Sequence, residues 1–514
     1  MYIKNQFVRH QLVLHLLEQE GYETITTSSN QDEILLWRKM NRMTNIVRIS
    51  LKQFDWAREL DHSIEQIEKN VSKNLQLPLF QKEVNFHHVC IADYVPVDNW
   101  QQHKASNIKA IDHTYVYIWA SDQDEQFARF FKNAGMKHPL SFSIPEQPME
   151  LEQHAQYLKQ RIDHIDYQAK KEVADVFNKA KPILSYVLIA INIVVFVLLE
   201  WMGGSTDPDT LIKFGAKYNP AMMEGEWWRV VSSMFLHIGV FHIGLNMMAL
   251  YFVGTLVERI FGNYRFIIIY FLAGISGGIA SFAFNANVAA GASGALFGLF
   301  GALLLFGLKN PKIFFKTIGM NVIFLVILNI IFGFSIQQVD NGAHLGGLIG
   351  GFLAAGAVQL PSMRKSWKQI LFLFGYLVYS FGLLYYGIQN DQIQYNETVQ
   401  IQHIQQLIEA EQYQKVAESA SQSLPHAEEY QAELLFYRSF ANIQLGNYKK
   451  AEKDLEAAVE KKPRFEEALY NLALIYQQEQ KLSEALEISK KLLDLDQDNS
   501  TYQSLYKELT KTTS

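Results

Sequence analysis

The sequence predicts a three-part chain: a polytopic α-helical membrane protein of seven transmembrane helices, preceded by a mixed α/β soluble domain and followed by an α-solenoid of helical repeats. Three observations carry that prediction. From Pro182 onward, apolar runs of about 20 residues, long enough to cross a bilayer as helices, follow one another to about residue 388. Before them, residues 1–178 mix short apolar strand patterns with amphipathic helix patterns and carry charge throughout. After them, "FYRSFANIQLGNYKKAEKDLEAAVEKKP" and "LYNLALIYQQEQKLSEALEISKKLLDLD" align with each other at a period of about 34.

The first part reads as a cytoplasmic α/β domain over 1–178. No cleavable signal peptide opens it, because "MYIKNQFVRHQLVLHLLEQEGY" is an amphipathic helix pattern with charges throughout. Helices are expected at 6–19 and 54–73, strands at 22–27, 33–38, 46–51, 84–94 and 113–120, and a charged helix over 146–180 leading into the first span. The segment "NFHHVC" places His87, His88 and Cys90 in one strand, where only His88 and Cys90 share a face. With no clear third ligand the pair reads as part of a buried polar strand, and no metal is expected. Cys90 is the single cysteine, which excludes an intramolecular disulfide framework and a cysteine-based zinc cage. The net charge of -6 argues against a nucleic-acid partner.

The membrane part is expected over 179–390, with spans at 183–201, 230–254, 266–284, 291–308, 318–334, 342–360 and 370–388. The third to seventh contain almost no charge, and a soluble protein could bury one such helix but hardly seven. Basic residues set the orientation. Lys170, Lys171, Lys179 and Lys181 precede the first span, Arg259 and Arg265 separate the second from the third, Lys309, Lys312 and Lys316 the fourth from the fifth, and Arg364, Lys365 and Lys368 the sixth from the seventh. The other connections carry almost none, only Lys213 and Lys217 in the long first loop. Cytoplasmic loops retain such residues, so the N-terminus is placed in the cytoplasm and the C-terminal part outside.

That orientation puts Ser293, between the glycines of "GASG", and His344 at a similar shallow depth near the outer ends of the fourth and sixth helices. Singly, a membrane serine bonds a carbonyl one turn back, and glycines serve helix packing. Together with His242 and Asn246, spaced i, i+4 on the second helix, they supply what acyl transfer needs: a hydroxyl nucleophile, a base, and donors for an oxyanion. Gly347 and Gly351 give the histidine helix a bare stripe on which the fourth helix, bearing Gly294, Gly298 and Gly301, can approach closely.

These motifs in combination resemble the rhomboid intramembrane serine proteases, over about residues 180–390. "GASG" matches that family's Gly-x-Ser-Gly, "AHLGGLIGG" its Ala-His-x-x-Gly-x-x-x-Gly helix, and "HIGLN" its His-x-x-x-Asn element. The resemblance implies the rhomboid fold, Ser293 as nucleophile, His344 as general base, and His242 and Asn246 holding the oxyanion with the backbone N–H of Ser293. Trp228–Arg229 matches the Trp-Arg of the first loop, with a structural role implied, and "GTLVER" resembles the family's Gly-x-x-x-Glu-Arg, placing Glu258 and Arg259 at the inner end of the second helix. Phe297 stands where the best-known bacterial pattern has a tyrosine, and a phenyl face can still pack on His344. His237 is expected to point elsewhere and make a structural hydrogen bond, and Asp340 to be a solvated loop end rather than a third catalytic group. The implied enzyme needs no metal or other cofactor. It takes water through a polar cavity under the first loop and around the fifth helix, and cleaves membrane proteins whose transmembrane helix unwinds near the outer surface. The alternative is a catalytically silent rhomboid-like adapter, which the retention of both Ser293 and His344 disfavours. A transporter fares worse, for lack of paired interrupted helices and a buried acidic relay.

The last part, 391–514, is expected outside the cell. Ser439 aligns with Ala473, Ala451 with Ala485 and Leu435 with Leu469, and Gly446, Tyr448, Ala458 and Pro463 match tetratricopeptide signature positions. Residues 398–430 read as a weaker preceding repeat with Ala417 in register, and the final repeat has Gln497 in place of the proline. Such arrays offer a concave surface for a peptide or protein partner.

Overall fold

The computed structural model describes the chain except residues 1, 28–31, 41–42, 75–82, 102, 107, 109, 121–123, 139, 337–338, 362–365 and 514. Arg364 and Lys365, used above for orientation, therefore lie outside the described residues. The chain divides into two compact units, Met1–Asp175 and Val176–Ser514.

In the first unit, α1 (Tyr2–Glu18) leads into a meander of β1 (Glu23–Thr27), β2 (Glu33–Lys39) and β3 (Met43–Ser50). Helix α2 (Ala57–Asn74) then crosses to β4 (Glu83–Ile91), which lies parallel to β3. Strand β6 (His113–Trp119) adds parallel to β4, and the short β5 (His103–Ala105) pairs antiparallel at the edge, giving the order β1-β2-β3-β4-β6-β5 among the described residues. Strand β4 is flanked on both sides and covered on both faces, hence its nearly unbroken burial. Val89 and Ile91 pack with Leu12 and Leu16 of α1 and Phe130 of α3 (Asp124–Asn133), while Cys90 packs with Leu60 and Ile64 of α2. Helix α4 (Pro148–Phe177) adds Ala155, Leu158 and Ile162 to the first of these cores. Strand β5 and helix α3 were not expected from the sequence.

The second unit begins with α5 (Ile183–Met202). A long loop follows, carrying α6 (Pro208–Lys213), α7 (Asn219–Met223) and α8 (Arg229–Ser232). Helix α9 (Gly239–Ala249) passes through a π-helical turn (Leu250–Gly254) into α10 (Thr255–Phe261), and α11 (Asn263–Phe284), α12 (Ser293–Lys309), α13 (Pro311–Thr317), α14 (Gly319–Ser335), α15 (Asn341–Val358) and α16 (Lys368–Gln389) complete the bundle. The expected second span at 230–254 is corrected to 239–261. Residues 233–238 instead end the loop: Leu236 and Ile238 are extended and Gly239 starts the helix at φ 76°, so an apolar run there is buried under protein rather than inserted. Four helices are long and apolar enough to cross a membrane: α5, the continuous 239–261 helix, α11 and α16. The α13–α14 pair, bent by 74°, makes a fifth if counted as one span, and α12 is a shorter apolar helix.

Buried Glu258 explains how one end of the bundle is fixed. Its carboxylate accepts hydrogen bonds from the backbone N–H groups of Leu184 and Ser185, both at 2.8 Å, from Ser185 Oγ at 2.6 Å and from Asn263 Nδ2 at 2.9 Å. An acidic group thus caps the N-terminus of α5, where orphan N–H groups and the helix dipole favour negative charge.

The C-terminal region is wholly helical among its described residues. After the short α17 (Asp391–Gln394) come hairpins α18–α19 (Glu397–Glu409, Tyr413–Ser423), α20–α21 (Gln431–Gln444, Tyr448–Lys461) and α22–α23 (Glu466–Gln478, Leu482–Leu495), then α24 (Ser500–Thr513). The aligned Ser439, Ala451, Ala473 and Ala485 are fully buried where helices cross. In the first hairpin Val416 and Ala420, rather than the half-buried Ala417, take that place. Each hairpin turns through one left-handed residue, Glu411, Gly446 and Gln480, so the backbone repeats where the sequence keeps only one glycine.

Candidate active site

Three glycine-lined helices set the geometry. A Cβ on Gly347 of α15 would overlap the carbonyl oxygen of Gly294 on α12, and one on Gly277 of α11 would lie 2.9 Å from Ala343 O and 3.3 Å from Gly294 Cα. Only hydrogen fits at such a crossing, so backbones rather than side chains fix the spacing of α11, α12 and α15. Gly294 follows Ser293 and Ala343 precedes His344, so this contact brings the two expected site residues alongside one another.

Ser293 is the first residue of α12. Its own N–H and those just after it are therefore among the orphan donors of a helix start, the arrangement that can hold a developing oxyanion. One turn on, Phe297 lies flat against His344, with ring centroids 4.1 Å apart and planes 14° from parallel. The phenyl ring does what the sequence allowed, fixing one face of the imidazole. Ser293, His344 and His242 are all half-buried.

His242 reaches the same place through Gly291. That glycine has φ 144°, and a Cβ on it would sit 2.9 Å from His242 Nε2 and 3.8 Å from Ser293 Oγ. The backbone N–H of Ile238 donates to His242 Nδ1 at 3.3 Å, so Nδ1 is an acceptor and the ring proton is on Nε2, the atom beside Gly291. Asn246 is buried, with its amide donating to His242 O at 2.9 Å, and is spent on its own helix.

Two expectations change. His237 does not point elsewhere: its ring stands edge-on to His242 at 5.3 Å, and its Nε2 accepts from the N–H of Ala292 at 3.4 Å, immediately before the serine. Asp340 is no solvated loop end. It caps α15 by accepting from Ala343 N–H at 2.9 Å and takes further hydrogen bonds from Ser281 Oγ at 2.5 Å and Asn285 Nδ2 at 2.9 Å, so it is occupied away from His344. Its place before an Ala-His helix start was the sequence signal for a cap.

The long loop between α5 and α9 is braced from within. Arg229 donates to Glu226 Oε2 at 2.7 Å and to the carbonyls of Ile212 and Ala216 at 2.6 and 3.1 Å, and lies over the Trp228 ring. Lys217, counted above as a loop charge, is buried. Its ammonium donates to Asn219 Oδ1 at 3.0 Å and to the carbonyls of Asn285 and Asn287 at 2.6 and 2.9 Å. Sequence reading missed this role because all its partners are oxygens of residues that look like ordinary loop.

In the first unit, His88 and Cys90 do share the α2 face of β4. His88 Nε2 lies 3.4 Å from Glu68, which also accepts from Thr114 Oγ1 at 2.5 Å and Ser106 Oγ at 3.0 Å. Burial drives His88 down to about 4 against the pull of Glu68, and raises Cys90 to about 11. Among the described residues, no group of three or more His, Cys, Asp and Glu is arranged to hold a metal ion.

The bundle of apolar helices defines a polytopic membrane protein, and comparison with known proteins makes the class specific. A rhomboid domain model matches residues 224–360 and a tetratricopeptide repeat model residues 442–509. The chain is 34% identical over 480 residues to Rhomboid protease GluP of Bacillus subtilis (strain 168), a match covering 92% of each chain. It is 40% identical over 148 residues to RHOMBOID-like protein 1 of Arabidopsis thaliana, covering 28% of this chain and 38% of that one. It is 35% identical over 138 residues to Putative rhomboid protease YdcA of Bacillus subtilis (strain 168), covering 26% and 69%. The chain belongs to the rhomboid family. It is an intramembrane serine protease with a tetratricopeptide region and an N-terminal sheet-containing domain.

Proposed function

We propose that this chain cleaves transmembrane segments of membrane proteins near the outer face of the cell membrane, through a dyad of Ser293 and His344. The hydroxyl of Ser293 attacks the scissile carbonyl while His344 takes its proton, then returns it to the departing amine. Water next attacks the acyl-enzyme with the same imidazole as base. The Ser293 N–H and the Nε2–H of His242 stabilise the oxyanion, and the Asn246 amide joins them by turning from its own helix. No carboxylate takes part, since Asp340 serves as a cap.

The single observation that carries this reading is the flat packing of Phe297 on His344 one turn from Ser293, which supports an imidazole held near a hydroxyl at a helix start. We further read the bundle as seven spans, with residues 1–178 cytoplasmic, 179–390 in the membrane and 391–514 outside, the last binding a peptide or protein partner. Supporting this, the repeat region bonds to the long loop between α5 and α9: His403 and Lys415 pair with Glu224 at 3.2 and 2.9 Å.

The test is in-membrane cleavage of a tagged single-span reporter by the wild type, Ser293→Ala and His344→Ala at matched expression. Product from the wild type alone supports the dyad. Equal cleavage by the variants, or none by the wild type over a range of reporter helices, leaves the adapter reading.

A further inference from the structure

The segment entering Ser293 is held from outside the membrane domain, and one side chain makes the connection. Helix α11 ends at Phe284, leaving its last carbonyls without intrahelical donors. They are met by polar side chains from far away in sequence. Phe282 O accepts from Asn219 Nδ2 at 3.1 Å and from Gln394 Nε2 at 3.2 Å, and Ala283 O from Asn390 Nδ2 at 3.1 Å. Asn219 also donates to Gln394 Oε1 at 3.2 Å while its own Oδ1 accepts from Lys217 Nζ. Asn219, Lys217 and Gln394 are each at most 3% exposed, so these bonds form away from competing water.

Lys217 carries the connection to the serine. Beyond its ammonium contacts with the 285–287 carbonyls, its backbone pairs with Ala289 in both directions, at 2.9 and 3.0 Å. Two residues later Gly291 N–H donates to Ser233 O at 2.9 Å, Ala292 N–H meets His237, and Ser293 begins α12. On the other side, Gln394 closes α17 and accepts from Gln400 of α18 at 2.7 Å, the first helix of the repeat region. Tyr218 packs with Val399, and its ring meets His403 edge-on at 5.7 Å.

Resting on the dyad reading of Ser293, we propose that Asn219 is a positioning residue for the nucleophile: it joins the segment leading to Ser293, through Lys217, to the start of the tetratricopeptide region, through Gln394. The repeat region is then part of the frame that places the serine, and not only a tethered binding module. Asn219 touches no reacting atom. Its effect is transmitted through the 285–292 segment, and a small displacement there moves the hydroxyl relative to His344.

The test uses the full-length protein in membranes, with two readouts: steady-state cleavage of the reporter, and the rate at which a serine-reactive fluorophosphonate labels Ser293. Asn219→Ala and Gln394→Met are both expected to lower kcat about tenfold with KM within about twofold, and to slow labelling in parallel. The double variant is expected to lose little more than either alone, because the two side chains share one bond. Gln394→Met keeps side-chain volume and guards against simple misfolding, which thermal unfolding of each variant checks. Unchanged kcat in both variants, unchanged labelling alongside lost cleavage, or loss that tracks only the unfolded fraction would each overturn the proposal. If the wild type is not labelled, or Ser293→Ala is labelled as fast, the dyad reading itself fails, an outcome distinct from the variants behaving as wild type.

Discussion

Two histidine clusters in this chain look alike on paper and differ in the fold. In β4, His88 is fully buried, tied to Glu68, and driven down to about 4 by burial. In α15, His344 is half-buried, stacked on one phenyl ring, and beside a serine at a helix start. The first is sealed in the sheet, where burial outweighs the pull of Glu68 and keeps it neutral. The second is half-buried and held by its ring face. On the proposed reading, oriented and partly exposed polarity carries the chemistry, and buried, bonded polarity carries the architecture.

The sharpest way to break this comparison is to remove each ring. His344→Ala is expected to lower cleavage by at least about 10³-fold, whereas His88→Gln is expected to leave cleavage within about threefold and lower only the stability of the first unit. Parallel losses of activity would erase the distinction. Next in size, Gly347→Ala pushes a methyl into Gly294 O, a contact between two backbones that neither can yield. Overpacking there is expected to cost on the order of 3 kcal/mol and to separate serine from histidine, seen as lost activity with a lowered Tm. An Ala variant of full activity would show that the crossing does not set the site.

Acid sharpens the other side of the comparison. His88 and His10 both titrate near 4 in the folded unit, lowered chiefly by burial. A histidine whose folded pKa is depressed adds stability that is complete above its ordinary value near 6.5 and fades as pH falls toward 4. The first unit should therefore lose stability steadily between about pH 6.5 and 4, followed by its tryptophan fluorescence, and His88→Gln should flatten that slope. The smallest effect is at the stacking ring. Phe297→Ala is expected to reduce kcat about three- to tenfold, and Phe297→Tyr to leave it within about twofold.

Much of the fold was legible because its signals are local. Hydropathy located helices at the expected stretches, yet it placed the second nine residues early, since "MFLHIGV" is as apolar under a protein loop as in lipid. Helix α3 escaped although Phe127, Phe130, Phe131 and Ala134 follow a helical stripe, and β5 is too short for any periodicity. At the site, Ser293, His344 and His242 stood out as polar residues in apolar helices. Lys217, Asn219 and Gln394 did not, because what they bond is backbone from elsewhere, and backbone has no sequence signature. Asp340 was misread although its place before a helix start signals a cap; its other donors, Ser281 and Asn285, sit on a different helix end and leave no mark beside it.

The π-helical turn at Leu250–Gly254 carries a consequence of its own. One extra residue in a helix advances the phase of everything beyond it by about 100°. The half with His242 and Asn246 and the half with Glu258 are thus set at independent azimuths on one rod. A single-residue deletion in that turn would straighten the hydrogen-bond ladder and swing one half against the other, so that a chain with every side chain still present would have His242 turned away from Gly291 and Ser293.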